Sequence, residues 1–371
     1  MTKRTPVVTR DPRFLAGRKL VERGLADEAI TVYGTLLEET TQQYGDASVE
    51  TAPAYYEYGN SLLRAAVKQQ QEQQQDETTS REEQRSAAAA AAEHRQQSSS
   101  NENTGKGGEE AEKKPAAVDN SDTNQFENDG SSEQNNQEDE GMSDGENDNL
   151  ASEDLSLALE MMENSFSILE EYKEKAGKGA AGDNDQYSNW VSEQLPRILL
   201  GLGDTLSTLN RHADAADAYS RALELRKACL QEFEDRKAHS DHKQQSTIEH
   251  LKAHRMVCEA NILIAEALLS CPPDKDVVTT ETQSLIVKAN ERVSYARGYY
   301  DQARDALQEA VVFMGDLPRQ VDLGREKEDV CFLATLVMGV GESLATIDEQ
   351  ADEAAVVSST EPVKKKAKRG L

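Results

Sequence analysis

One spacing constrains this chain more than any other feature. Gly17, Leu20, Ala29 and Tyr33 stand three, nine and four residues apart, and Gly203, Leu206, Ala215 and Tyr219 repeat the same intervals. Each set predicts two antiparallel helices joined by a short turn. The glycine and the alanine lack bulk where the helices approach, and the tyrosine fills the gap beside them. Gly24 falls in the first turn. Elsewhere in the ordered parts apolar residues recur at three- and four-residue spacing with few β-branched runs, so strands are not evident and an all-α fold is expected.

This is the spacing of the tetratricopeptide repeat, a helix pair that buries its apolar face only by stacking on its neighbours. A further first helix lies in APAYYEYGNSLL, with Gly59 at the small position and Leu62 three residues on. Its partner does not follow. A suitable second helix resumes at residues 154–172, with Ala158 and Met162 in the alanine and aromatic positions. A fourth pair joins Ala265 and Leu268 to Ala303, Leu307 and Ala310, across an interruption at Pro272-Pro273. A last amphipathic helix, at about residues 325–349, would cap the open end of the stack. The expected architecture is a solenoid of about four helix pairs plus this cap. It divides into repeat 1 and the first helix of repeat 2 (11–66), an insertion (67–150), the rest of the array (151–350) and a tail (351–371). Asp11-Pro12 reads as the start of the first helix.

The insertion is low in complexity. Between Val67 and Leu150 the only bulky apolar residues are these two with Val118, Phe126 and Met142. That is too few to offset a chain entropy of about 1–2 kcal/mol per residue, so disorder is expected. Its Gln- and Ala-rich start favours helix and would extend the preceding one. Residues 101–154 hold 17 Asp/Glu against 3 Lys, a net −14 and half of the chain's −28. Such acidity disfavours direct nucleic-acid binding and favours a basic protein partner. Glu138, Asp139, Glu140, Asp144, Glu146 and Asp148 are the acids expected to meet it. Ser143, within SDGE, is a candidate for phosphorylation. The tail contrasts with the insertion. Lys364, Lys365, Lys366, Lys368 and Arg369 make a single-cluster nuclear import signal.

No catalytic arrangement, cofactor or metal site is expected. GLGDTL lacks the third glycine of a phosphate loop and sits inside a helix. His239, His242, His250 and His254 read as a polar surface helix extension rather than ligands. Cys229, Cys258, Cys271 and Cys331 have no ligand or redox spacing and read as small core residues. No stretch is expected to reach the length of a membrane span, and the N-terminus has no apolar core of a secretory signal. The informative surface is the concave groove lined by the first helix of each pair. Counting from each small residue places Phe14 and Arg18, Tyr56 and Asn60, Asp204, and Glu259, Ile262 and Glu266 along it. An acidic C-terminal half with apolar patches suits a basic amphipathic peptide.

These segments together resemble one family, the interrupted-repeat histone chaperones of the nuclear autoantigenic sperm protein group. The resemblance rests on YGDASVETAPAYYEYGNSLL (44–63), on LGDTLSTLNRHADAADAYSRAL (202–223), on the acidic interruption of repeat 2 and on the basic tail. It implies binding of histone H3 or H3–H4, with linker histone as a further client. It also implies histone supply, nuclear import through an import receptor, chromatin assembly and delivery of centromeric H3 variants. A nuclear protein with a cytoplasmic pool is expected, with no nucleic-acid or membrane partner. Stacked repeats of this kind also self-associate. Carried over by position, Asp204 and Glu259 are the groove acids, while Thr208, Asn210 and Ile262 depart from the family's pattern. The rival reading is an adaptor or cochaperone for the acidic tails of heat-shock chaperones. That requires basic or amide residues where Phe14, Glu57 and Gly201 stand.

Overall fold

The computed structural model describes residues 4–100, 145–177, 186–237, 243–272, 277–279, 285–287, 291–316 and 325–360. The fold is all-α. Its helices are α1 Pro12–Glu22, α2 Ala26–Tyr44, α3 Ala52–Ser100, α4 Gly145–Gly177 and α5 Ser188–Thr208, then α6 His212–Lys237, α7 Lys243–Ser270, α8 Arg292–Asp316 and α9 Arg325–Thr360. One short antiparallel ribbon, β1 Val277–Thr279 with β2 Leu285–Val287, lies between α7 and α8, where the sequence pattern showed no strand. Two compact units divide the chain: Met1–Lys68 with Leu150–Leu371, and Gln69–Asn149.

Helix α1 starts where its sequence dictates. The Asp11 carboxylate accepts the Arg13 N–H at 2.8 Å, and Pro12 takes the first helical position, where no N–H is needed. The α1–α2 and α5–α6 turns are built alike. Leu25 N–H donates to the Leu20 carbonyl at 2.9 Å, and Arg211 N–H to that of Leu206 at 2.8 Å. In each turn the preceding residue is left-handed, Gly24 at φ 75° and Asn210 at φ 58°. Asn210, one of the departures from the family pattern, thus serves a turn.

The helix pairs close as the spacing predicts. A β-carbon added to Gly17 would lie 2.6 Å from the Tyr33 ring, and one added to Gly203 only 2.2 Å from that of Tyr219. Helix α3 finds its partner in α4. Ser165 Oγ of α4 donates to the Ala52 carbonyl of α3 at 2.9 Å, and a β-carbon on Gly59 would meet the Ala158 carbonyl at 2.9 Å. Position rises along α3 as it falls along α4, so the two are antiparallel. Further on, α6 packs on α5 and α7, α8 on α7, and α9 against both α7 and α8. One apolar core runs from Ala52 and Leu62 through Met162, Leu199 and Ile264 to Leu344. A smaller cluster joins Val8, Phe14, Ala29, Tyr33 and Leu36. This arrangement is compatible with a tetratricopeptide solenoid.

Two expectations change, while α3 runs on to Ser100 as the Gln- and Ala-rich start of the insertion favours, because Gln, Glu and Ala hold a helix without a core to bury. On the other side α4 begins at Gly145, ahead of residue 151. Within α9, Glu326–Gln350 is long and apolar enough by length and composition to cross a membrane, with a mean hydropathy of 1.8. Its Val330, Leu333, Val337, Val340 and Leu344 are buried against the helical array, whereas Phe332 and Met338 are 64% and 62% exposed. The cysteines also divide: Cys258 and Cys271 are buried, and Cys331 is exposed.

Candidate functional site

Helices α1, α3, α5 and α7 supply the residues expected to line the groove, and the fold sorts them into two groups. In the first, Glu57 of α3 is buried, and its Oε1 accepts from Arg18 of α1 at 2.9 Å and from Arg197 of α5 at 3.2 Å. Both guanidiniums also lie over aromatic rings, Arg18 over Phe14 and Arg197 over Tyr56. Tyr56 is therefore covered rather than open, and Phe14 packs edge-on against Tyr33 in the core. Asn60 is half-buried one turn beyond Tyr56. A cavity of about 220 Å³ lies here, bordered by Arg18, Tyr56, Glu57, Trp190 and Gln194.

The second group centres on Asp204. It follows the glycine that receives the Tyr219 ring, so the Tyr219 hydroxyl reaches it and donates to its Oδ1 at 2.8 Å. Burial pushes the Asp204 carboxyl up to about 6, outweighing the pull of that hydrogen bond and of Arg64 and Arg226. Glu266 of α7 is raised in the same direction, by burial and then by the charge of Asp204. Among the described residues no cation pairs with either carboxylate. Tyr219 and Glu266 border a cavity of about 630 Å³ that also has Leu263, Ala267 and Val340 in its wall.

Two expected groove residues do not line it as free groups. Ile262 is fully buried, because its position on α7 faces the core beside Cys258 and Ala265. Glu259 is bound to the buried Arg226 of α6 at 2.9 Å, and Arg226 also donates to the Met256 carbonyl. A second set of ion pairs continues outward, with Arg255 of α7 holding Glu326 at 3.1 Å and Asp329 at 2.6 Å of α9. Sequence reading missed Arg197 and Arg226. Arg226 was findable, since it stands seven residues, two helical turns, after Tyr219 and so shares its face. Thr208 spends its hydroxyl on the Asp204 backbone carbonyl at 2.8 Å, where an acid could not donate.

Of the histidines, His250 and His254 stack on Phe313 at 5.4 and 5.3 Å, while His239 and His242 lie outside the described residues. Among the described residues no group of three or more His, Cys, Asp or Glu is placed to hold a metal. Glu138, Asp139, Glu140, Asp144 and the tail residues 364–369 also lie outside them, and Glu146 and Asp148 fall in the first turns of α4. No family model matches the chain, and no curated protein matches it.

Proposed function

We propose that the protein is a non-enzymatic histone chaperone of tetratricopeptide type, binding histone H3 or H3–H4 through its groove and acidic segment. The observation that carries this reading is the pair of half-buried carboxylates, Asp204 and Glu266, the second bordering a cavity with a mixed apolar and hydroxyl wall, in a chain of net charge −28. A partly desolvated carboxylate without a cation gains most from a Lys or Arg brought by a ligand. The acidic residues of 101–154 would speed capture of a basic protein by long-range attraction, which salt screens. The basic run at 364–369 supplies an import-receptor site and hence a nuclear location with a cytoplasmic pool. Linker histone is a further client of the same chemistry, and self-association of the repeats is part of the proposal.

The cochaperone reading loses support from the first group. Arg18 and Arg197, the groove cations nearest a clamp for acidic tails, already serve Glu57. The test is a binding titration of recombinant H3–H4 against wild type and an Asp204→Asn/Glu266→Gln double variant, at two salt concentrations. A loss of about tenfold or more, one charge-assisted contact's worth, is expected in the double variant. Absence of H3–H4 binding by the wild type would sink the reading.

A further inference from the structure

The sequence assigns α9 a capping role alone, but its place beside the acidic pair suggests another. The cavity bordered by Tyr219, Leu263 and Glu266 is closed on its far side by Gly339, Val340 and Ser343 of α9. The glycines of α9 differ in a way that packing explains for one and not for the other. A β-carbon on Gly341 would lie 2.8 Å from the Tyr300 hydroxyl, so a larger residue there would have to displace that side chain. A β-carbon on Gly339 would meet nothing within 4 Å. Gly339 is exposed and borders the cavity, so a side chain placed there would occupy space at its mouth.

We infer that α9 is a recognition element, forming with α7 a slot for one Lys or Arg side chain of the basic partner. Its stem lies between Leu263 and Val340 and its charged tip at Glu266 and Asp204. The inference rests on the reading that the groove takes a basic protein segment, and it names the wall that selects it. A long basic side chain suits such a slot because its methylenes bury against apolar surface while its head group meets acceptors. The slot has those acceptors to spare. Among the described residues Glu266 has no ion pair, and the Asp204 carboxylate accepts only from the neutral Tyr219 hydroxyl. Glu259, by contrast, is already neutralised by Arg226 and contributes little. The volume of about 630 Å³ leaves room for backbone and a neighbouring side chain as well.

The experiment uses the full chain and two probes, recombinant H3–H4 and an acetylated, amidated amphipathic peptide of leucine and lysine. Titrations are run at about 0.3 M salt, where long-range attraction to the acidic segment is screened. Gly339→Leu starts from a β-carbon position with no atom within 4 Å and projects into the slot, so helicity and Tm should hold while affinity for both probes falls at least tenfold. Glu266→Gln should weaken both probes as well. Unchanged affinity in both variants, with the wild type binding H3–H4, overturns the α9 slot and leaves the chaperone reading standing. Peptide binding lost in both variants, with no H3–H4 binding by the wild type, keeps the slot and overturns the histone reading. Should Gly339→Leu lose helicity, Glu266→Gln decides alone, and undiminished binding by it overturns the slot.

Discussion

The two ends of the groove solve the same problem in opposite ways. Both place a carboxylate on the first helix of a pair, beneath or beside a tyrosine. At Glu57 the fold brings two arginines from neighbouring helices onto one oxygen, and the group is internally satisfied. At Asp204 the hydrogen-bond partner is a neutral hydroxyl, Arg64 and Arg226 act only from a distance, and the carboxyl is pushed up to about 6. The first arrangement holds the array together. The second leaves an electrostatic need that a basic ligand can meet, which is why the proposed site belongs at that end.

The largest effect tests what the two ends share. Gly203→Ala drives a methyl into the Tyr219 ring and should cost about 3 kcal/mol, at the upper end for overpacking, measured by urea unfolding. Gly17→Ala should behave alike against Tyr33. A Gly203→Ala protein as stable as wild type would remove the close helix approach as the basis of the repeat.

The next two separate the ends. Glu57→Gln strands Arg18 and Arg197 beside a neutral amide and should destabilise by about 2 kcal/mol, below the cost of breaking a fully buried pair because both arginines are partly exposed. Asp204→Asn keeps the Tyr219 contact and removes a disfavoured charge, so it should stabilise by about 1–2 kcal/mol while weakening the binding of basic ligands. The pH dependence has a definite sign. The folded carboxyl titrates near 6 and the unfolded one near 3.8, so the folded state holds the extra proton between them. Wild-type stability from this group therefore falls as pH rises from about 4 to 6 and then levels off. Thermal melts of the two proteins should coincide near pH 4 and diverge by pH 7. Over the same interval affinity for a basic ligand should rise in the wild type, because the cation binds the ionised form. Divergence in the opposite direction would mean that Asp204 is stabilised as a charge. The smallest effect concerns the α5–α6 turn. Asn210→Val should cost about 1 kcal/mol at its left-handed φ of 58°, while Asn210→Gly should be nearly neutral by the same unfolding measurement.

Much of this architecture was legible because tetratricopeptide spacing is a statement about contact. Gly17, Gly59 and Gly203 each name the partner that must approach them, and Gly59 found Ala158 and Met162 across the insertion. Helix beyond Val67 was legible as propensity but not as extent, since a helix of Gln and Ala buries nothing that would mark its end. The site was legible only in part. Asp204 and Glu266 could be placed by counting along a helix, and so could Glu259. Arg226 could be placed on the Tyr219 face by the same counting, but its partner Glu259 on another helix could not, and Arg197 lies 140 residues from Glu57.

The sequence by itself determined the helix pairs, their order, the interruption of the second pair and the position of the acidic residues. These follow from local periodicity and from the steric need of a glycine or alanine at fixed spacing. Tertiary structure alone decided which carboxylates are neutralised, that Ile262 faces the core, and that α9 walls the cavity beside Glu266. The physical reason is that charge balance and burial depend on groups brought together from distant parts of the chain. No spacing within one helix records what the neighbouring helix presents.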